Sequence, residues 1–343
     1  MGYPLHAFTP SRLHSMPTTA ILLINLGTPE EPTPKAVRKY LKEFLSDPYV
    51  VEIPRVVWWV ILNCFILPKR GKDAAKRYAS IWTREGSPLR FHTEKQMKLV
   101  RGYLGERGYR DIIVDYAMRY GEPSIKSQLA VFKQKNVSRI VLLPLYPQYA
   151  CSSTATAMDA ATTALKQLDY HPDVRRIEDF HDHPAYIAAL ANSVSEYRTR
   201  SAGRPDKLVM SFHGVPQYTV ARGEPYQQHC LQTGKLLAAA LNLGEHQYQI
   251  CFQSRFGRTE WIKPYTADVL AELGKQKTER VDMICPGFVS DCLETLEEIA
   301  IEGKQIFRDA GGGEYNYIPC LNERHDWLTA LTDMALQSLE ERS

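Results

Sequence analysis

The chain has 343 residues, of which 44% are hydrophobic and 24% are charged, so it can bury a core of ordinary size in about two domains. Its 42 Lys and Arg residues nearly balance its 39 Asp and Glu residues, and this balance argues against nucleic acid as a partner. No apolar run reaches the roughly 18 residues that a membrane span needs, and residues 1–16 lack the apolar stretch of a signal peptide.

The seven cysteines indicate neither a disulfide framework nor a zinc or iron–sulfur site. Their number is odd, and no two of them form a C-x-x-C pair. Because an export signal is not evident, we expect a cytoplasmic protein whose thiols stay reduced.

The first elements are a leader, a strand and a helix. Residues 1–18 are polar and contain prolines, which predicts a loose leader. The continuous apolar run over 20–26, AILLINL, ends at Gly27 and predicts a buried parallel strand. A helix is expected over 35–45. The loop between them lacks both nucleotide-binding glycine signatures, so a nucleotide site is not supported.

The segment 50–67, VVEIPRVVWWVILNCFIL, is more apolar than a surface loop should be, yet too short and interrupted to cross a bilayer. One interpretation is a core helix. The other is an exposed apolar lip that grips a flat apolar ligand or touches a membrane surface. Arg70 and two lysines lie just beyond it, and these cations can pair with carboxylates or lipid phosphates.

Strand and helix patterns then alternate to the C terminus, which indicates βαβ units and a parallel sheet. With the first strand there are eight, and they fit two four-stranded halves better than one barrel. The later strands are predicted over 111–118, 138–145, 174–177, 207–212, 247–253, 281–285 and 315–318. The later helices are predicted over 93–107, 123–135, 153–167, 184–199, 225–241, 260–273, 291–308 and 322–341.

Breaker residues near 168–173 suggest where the two halves divide. We therefore predict an N-terminal α/β domain over 19–168, with the lip at 50–70. A C-terminal α/β domain is expected over 169–321. The last segment, 322–343, is predicted to be a helix that packs back on the rest.

His213 is the first candidate functional residue, because it follows the strand 207–212 directly. Gly214 comes next, and Pro216 prevents simple continuation of the strand. Ligands of α/β sheets bind at the carboxyl ends of strands, where a histidine can transfer a proton or bind a metal. The alternative is a histidine that satisfies a hydrogen bond in a tight turn.

A group of acids follows the strand 281–285, in the sequence PGFVSDCLETLEEIAIEG. The spacing of Asp291, Glu294 and Glu298 puts three carboxylates on one face of an α-helix. A solvated acidic face is the simpler interpretation, and the helix N-terminus favours the first two acids. If this helix and His213 share one rim, the acids and the imidazole can bind a divalent metal or relay protons.

Two other strand ends are rich in aromatic residues: 144–153, PLYPQYACSS, and 253–266, QSRFGRTEWIKPYT. Ordinary packing can explain each, but two together favour a wide, flat pocket. The sequence His181-Asp182-His183 resembles a metal site, but Pro184 follows, so a loop at a helix start is the preferred interpretation.

Six motifs, in order, resemble those of ferrochelatases, the terminal enzymes of haem synthesis. They are INLGTPEEP, MRYGEP, PLYPQYACSS, SFHGVP, QSRFGRTEWIKPYT and GFVSDCLETLEEI, and the similarity extends from about Ala20 to about Asn322. The resemblance implies two similar Rossmann-like α/β domains, each a four-stranded parallel sheet flanked by helices, with a porphyrin cleft between them. It also implies insertion of Fe²⁺ into protoporphyrin IX with release of two protons.

The resemblance also implies roles for individual residues. His213 and Glu294 match the catalytic and metal-binding pair, while Asp291 and Glu298 match a conduit for protons or metal. Contacts to the porphyrin are expected from both halves of the chain. These residues are Trp58, Trp59, Arg70, Tyr78, Ser87, Arg119, Tyr120, Tyr146, Trp261 and Phe288.

Two departures from the family pattern concern cysteines. Cys292 stands where many relatives have a histidine, which leaves His213 and Glu294 as the main pair. Animal-type relatives bind a [2Fe–2S] cluster through one cysteine of the YPQY loop and three in a C-terminal extension. Cys151 matches the first, but no cysteine follows Cys320, so we expect no cluster and no required cofactor.

Other activities stay open at this point. The alternatives are a chelatase for a more polar tetrapyrrole, such as coproporphyrin or sirohydrochlorin, and a non-catalytic tetrapyrrole or metal carrier. The apolar lip favours a substrate with only two propionates. We expect a monomer that is cytoplasmic and able to touch the inner face of the membrane through the lip.

Overall fold

The computed structural model describes residues 18–201, 206–257 and 259–340, so the predicted leader lies outside the described residues except for Thr18. Within these ranges the chain forms two four-stranded sheets, in the orders β2-β1-β3-β4 and β6-β5-β7-β8, and each neighbouring pair is parallel. The α/β fold expected from the sequence is thus confirmed. The strands are β1 (Thr19–Gly27), β2 (Ile113–Tyr120), β3 (Arg139–Pro144), β4 (Asp173–Arg176), β5 (Lys207–His213), β6 (Tyr248–Gln253), β7 (Arg280–Ile284) and β8 (Glu314–Tyr317).

Helices connect the strands and flank both sheets. Local sequence fixes some of their ends: α1 begins after Thr33, whose hydroxyl accepts a hydrogen bond from the backbone of Ala36, and Pro34 is its first residue. The α-helices are α1 (Pro34–Leu45), α2 (Arg55–Ile61), α3 (Leu67–Ile81), α4 (Pro88–Glu106), α5 (Ile125–Gln134), α6 (Thr156–Gln167), α7 (Pro184–Arg200), α8 (Gln217–Ala221), α9 (Tyr226–Ala240), α10 (Thr266–Lys275), α11 (Lys304–Asp309) and α12 (His325–Glu340). Three segments are π-helical: Leu62–Ile66, Cys151–Ala155 and Glu294–Gly303.

The two sheets share one hydrophobic core. Leu23 of β1 and Met210 of β5 are fully buried in the same cluster, together with Trp327 of α12. The last helix packs against α4 and α7, so it closes the core that the two halves have in common.

The domain boundary expected between residues 168 and 169 is wrong. The strand that follows it, β4, pairs with β3, with Val174 opposite Ile140, and therefore belongs to the first sheet. The chain leaves this sheet only after Arg176. The breaker residues near 168–173 mark a turn between a helix and a strand.

Some predicted helices begin at a different residue or with a different geometry in the structure, as two examples show. The helix expected over 260–273 begins at Thr266, because the preceding residues form extended bridges: the backbone N–H of Ile262 donates to the Val215 carbonyl, and that of Phe252 to the Pro264 carbonyl. The helix expected over 291–308 begins as a π-helix at Glu294.

Segment 50–67 contains both buried and exposed apolar side chains, on α2 and the π-helical turn after it. Trp58 and Leu62 are buried, whereas Val56, Trp59 and Phe65 are 81%, 62% and 68% exposed. We call the exposed face the lip. None of the helices in the described ranges combines the length and apolar character needed to cross a bilayer.

Candidate active site

A cleft of about 360 Å³ lies between the two halves, at the carboxyl ends of their strands. Its size falls in the range of small-molecule sites, about 300–1,000 Å³. Gly27, the last residue of β1, and His213, the last residue of β5, both line it. Gly27 has a φ of 113°, and a Cβ there would lie 1.8 Å from the Tyr120 carbonyl oxygen, so the end of β1 requires glycine.

One ring nitrogen of His213 is occupied by the backbone. Its Nδ1 lies 2.6 Å from the Gly214 carbonyl oxygen, which can only accept, so Nδ1 carries the proton of the neutral ring. The lone pair of the neutral ring is therefore at Nε2, where it can accept a proton or bind a metal. The backbone carbonyl of His213 accepts from the hydroxyl of Tyr226 at 2.9 Å, which fixes the end of the strand.

Trp261 packs beside this histidine. The two ring centroids are 6.3 Å apart, and the indole N–H donates to the Phe256 carbonyl at 2.9 Å. A Cβ on Gly214 would lie 2.8 Å from the Gln253 carbonyl oxygen and 3.1 Å from the Trp261 ring, so glycine at this position lets the tryptophan approach. Both aromatic rings line the cleft.

Glu294 lines the same cleft as the first residue of the π-helix. Tyr78 lies close to its carboxylate: burial raises the pKa of Tyr78 well above its ordinary value, and the charge of Glu294 raises it further. Cys292 also lines the cleft, and burial together with the same carboxylate raises the pKa of its thiol. A neutral thiol therefore lies beside Glu294 in the cleft wall.

Asp291, predicted to belong to a conduit, is not among the residues that line the cleft. It precedes the π-helix and is buried, and its carboxylate accepts from the hydroxyl of Tyr317, from Thr295 Oγ1 at 3.0 Å and from Asn322 Nδ2 at 2.7 Å. These donors hold the start of the helix. The predicted α-helical face of three carboxylates is therefore not present.

Glu298 lines a second cavity of about 300 Å³. Ser254 lines both this cavity and the cleft, so it lies between them. The backbone N–H and the hydroxyl of Ser254 each donate to the Glu298 carboxylate at 2.6 Å. Ser254 has a φ of 65°, in the left-handed region. Glu302 lines this second cavity too. Sequence reasoning missed Ser254 and Glu302, although the SRFG turn after a strand marked the first.

Arg119 and Tyr120 are not among the residues that line the cleft, and their porphyrin contact stays a prediction. Arg119 donates to Asp47 and, at 2.7 Å, to Thr156 Oγ1, while the Tyr120 hydroxyl donates to Asp47 at 2.8 Å. Asp47 begins the segment that leads to α2, so this network anchors the base of the lip.

The two tryptophans of α2 are also not among the residues that line the cleft. The Trp58 indole is buried and donates to the Leu45 carbonyl at 2.6 Å, and Trp59 is exposed to solvent. Other predicted porphyrin contacts do line the cleft, together with Tyr40, which the sequence had not indicated. They are Arg70, Tyr78, Ser87, Tyr146, Trp261 and Phe288.

The cysteines do not fit a four-cysteine cluster. Cys151 is exposed, but within the described ranges it belongs to no group of three converging metal-ligating side chains. Cys230, Cys251, Cys285 and Cys320 are buried.

Comparisons with known proteins identify the family. The ferrochelatase family model matches residues 18–339. A ferrochelatase of Chromobacterium violaceum is 57% identical over 99% of this chain and 93% of its own length. One of Aromatoleum aromaticum is 55% identical over 95% of this chain and 89% of its own length.

Solved structures show the same fold at low identity. SirB from Bacillus subtilis with Fe³⁺ has a TM-score of 0.52 at 10% identity and covers 94% of this chain and 95% of its own. CbiX, described as the terminal enzyme of sirohaem biosynthesis in denitrifying bacteria, has a TM-score of 0.51 at 12% identity over 93% of this chain and 98% of its own. On the family match and the close relatives, the chain belongs to the ferrochelatase family.

Proposed function

We propose that the protein takes Fe²⁺ and protoporphyrin IX as its substrates. It inserts the metal ion into the porphyrin and releases two protons. Family membership supports a metal chelatase of haem biosynthesis. The observation that carries the proposal for this chain is that Nε2 of His213 and the Glu294 side chain belong to one cleft, on segments that follow the neighbouring strands β5 and β7.

In the proposed reaction, each pyrrole N–H loses its proton as an iron–nitrogen bond forms. His213 Nε2 accepts one proton, and Glu294 accepts the other or holds the incoming Fe²⁺. Trp261 and Phe288 pack against the macrocycle, and the Arg70 guanidinium pairs with a propionate. No redox change occurs, so the chemistry requires bases and positioning only.

The test is anaerobic absorbance of the protein mixed with protoporphyrin IX and Fe²⁺, or Zn²⁺ as a stable surrogate. We expect metalloporphyrin bands with wild type, and a rate at least about 100-fold lower in His213→Ala and in Glu294→Gln, with porphyrin still bound. His171→Ala, at an exposed site away from the cleft, is the matched control.

Other results would redirect the proposal. Wild-type turnover by His213→Ala would refute the role of this histidine. Porphyrin binding without metallation by wild type would indicate a carrier. Failure to bind protoporphyrin would lead to the same assay with coproporphyrin and sirohydrochlorin.

We also propose that the enzyme works without an iron–sulfur cluster. This rests on the poor fit of Cys151, which lacks converging partners among the described residues. Protein purified without oxygen should contain no acid-labile sulfide while retaining full activity. Stoichiometric sulfide, lost in Cys151→Ser, would contradict the proposal.

The lip supports a further proposal, that a monomer in the cytoplasm touches the membrane surface through it. Val56, Trp59 and Phe65 are exposed apolar side chains of the lip, and Lys69 and Lys72 follow it in sequence. Sedimentation with phosphatidylglycerol vesicles should fall at least several-fold in Trp59→Ser. Analytical ultracentrifugation should give one chain per particle. Unchanged sedimentation would reject the contact.

A further inference from the structure

Two histidine rings stack outside the cleft. His181 lies between β4 and α7, and His229 lies on α9; their ring centroids are 3.6 Å apart and their planes 3° from parallel. His181 is buried, whereas the neighbouring Asp182 side chain is 51% exposed. Neither histidine lines the cleft, and the proposed reaction does not use them.

The groups around His181 accept hydrogen bonds and do not donate them. Its Nδ1 lies 2.7 Å from Asp179 Oδ1. Its Nε2 lies 3.3 Å from Gln232 Oε1 and 3.9 Å from Asp182 Oδ2. Because Asp179 Oδ1 accepts a hydrogen bond from the Nδ1–H group, the lone pair of the neutral ring is at Nε2. There it faces two oxygen atoms.

The orientation of the Gln232 amide is fixed by its other partner. Its NH₂ group donates to Asp182 Oδ2 at 3.0 Å, so a flipped amide would place two acceptors against each other. Nε2 of the neutral His181 ring and Gln232 Oε1 thus face each other as two acceptors, with Asp182 Oδ2 beside them, and a positive charge between Nε2 and Oε1 satisfies both. That charge is either a proton on Nε2 or a metal ion.

We propose that His181 Nε2, Gln232 Oε1 and Asp182 Oδ2 bind a divalent first-row transition metal ion, with water on the exposed side. Ligands about 2.1 Å from a metal and at right angles to each other are about 3 Å apart, close to the 3.3 Å between Nε2 and Oε1. A small movement of the exposed Asp182 completes the set. Imidazole with oxygen ligands suits Fe²⁺, Co²⁺ or Zn²⁺.

The surroundings of His181 match those of a metal-bound histidine. Such a ring usually donates its other N–H to a carboxylate, which here is Asp179. His229 fixes the plane of the ring by stacking and is itself held by the backbone N–H of Tyr149, which donates to its Nδ1 at 3.3 Å. Asp179, His181 and His229 have ligand atoms within 4.8 Å of one another, so metal-ligating side chains are concentrated at this place in the fold.

The proposed site is connected to the cleft wall through two hydrogen bonds. Thr233 Oγ1 donates to the His181 carbonyl at 2.7 Å and accepts from Gln148 Nε2 at 3.0 Å, and Gln148 lines the cleft. A metal bound here holds the segment before α7 to α9, behind that wall.

The experiment uses full-length protein carrying His213→Ala and Glu294→Gln, so that the cleft does not compete for metal. Titration with Co²⁺, followed by its visible d–d absorption and by calorimetry, should show one ion per chain. Adding His181→Ala should weaken binding by at least about 100-fold, and adding Asp179→Asn by about 10- to 100-fold.

His171→Ala is the matched control, because His171 also pairs with an aspartate, at 3.0 Å, but is 80% exposed. It should leave Co²⁺ affinity unchanged. If His181→Ala does not fold, as judged by circular dichroism, Gln232→Ala with Asp182→Asn replaces it.

Absence of Co²⁺ binding in the parent double variant overturns the proposal, and so does unchanged affinity after either replacement at the site. Because the cleft groups are already replaced, neither result bears on the proposed chelatase activity, which is measured separately on wild type.

Discussion

Tyr146 and Tyr315 have buried hydroxyls, but the described residues provide a partner only for the second. Tyr315 donates to the Ile299 carbonyl in the π-helix at 2.6 Å. We expect Tyr315→Phe to lower the free energy of unfolding by about 1–3 kcal/mol, because it leaves a buried carbonyl without its donor. Tyr146→Phe should change it by less than about 0.5 kcal/mol. Urea unfolding measures both, and equal losses would contradict this account.

For individual residues, local sequence predicted where a residue lies in its strand better than which side chains it contacts. His213 was found because a strand pattern, a glycine and a proline fix where its strand ends. Arg119 and Tyr120 also stand at a strand end, yet their side chains bond to Asp47, which is 72 and 73 positions away in sequence. Nothing in the motif RYGEP indicates that partner, so the network around Asp47 could not be predicted from it.

At the scale of single elements, the π-helix Glu294–Gly303 could not be foreseen. Its apolar residues fit an α-helix equally well, since periodicity does not separate the two over so few turns. What distinguishes it is tertiary: Gln253 Nε2 donates to the Glu294 carbonyl at 2.7 Å, and Tyr315 to that of Ile299. Side chains from two other elements thus bond to its carbonyls.

Glu297, in this helix, makes the free energy of unfolding depend on pH. Burial raises the pKa of its carboxyl above 4.5, Arg77 opposes the rise, and three neighbouring glutamates add to it. The native state therefore binds this proton more tightly than the unfolded chain, and stability is lost as the pH rises from 4.5 through the folded-state pKa.

Replacing Glu297 with Gln removes this pH-dependent contribution to stability. We expect Glu297→Gln to unfold at a higher temperature than wild type at pH 7 and at the same temperature below about pH 4. Calorimetry at both pH values measures the difference. The exposed Glu85→Gln serves as control; a gain for Glu297→Gln that is independent of pH would exclude the mechanism.

The lip helix offers a matched pair of tryptophans. Trp58→Phe removes the donor to the buried Leu45 carbonyl and should cost about 1–3 kcal/mol of unfolding free energy. Trp59→Phe, at an exposed site, should cost less than about 0.5 kcal/mol. Chemical denaturation of the two variants compares them. A larger loss for Trp59→Phe would mean that Trp59, and not Trp58, is the buried tryptophan of α2.

For the whole molecule, the shared core predicts cooperative unfolding. Both sheets and α12 contribute to one buried cluster, so neither half can lose its fold without exposing apolar surface of the other. Tryptophan fluorescence and far-ultraviolet circular dichroism should therefore give coincident urea transitions. Two separated transitions would show that the halves are independent folding units.

The same shared architecture explains which large-scale features the sequence predicts. Alternating strand and helix patterns were sufficient for eight strands and two parallel sheets. They were insufficient for the boundary between halves, because assigning β4 requires knowing that Val174 pairs with Ile140. Pairing between distant strands is a property of the folded chain, and a short polar strand such as DVRR carries little signal of it.

The cleft joins two unequal walls. His213 and Glu294 both come from the second half, while the first half supplies Arg70, Ser87 and Tyr78. On the proposed function, replacements of Arg70, Ser87 or Tyr78 can therefore alter which macrocycle is accepted while leaving the proposed metal-inserting pair intact. A change of tetrapyrrole then requires no replacement of His213 or Glu294.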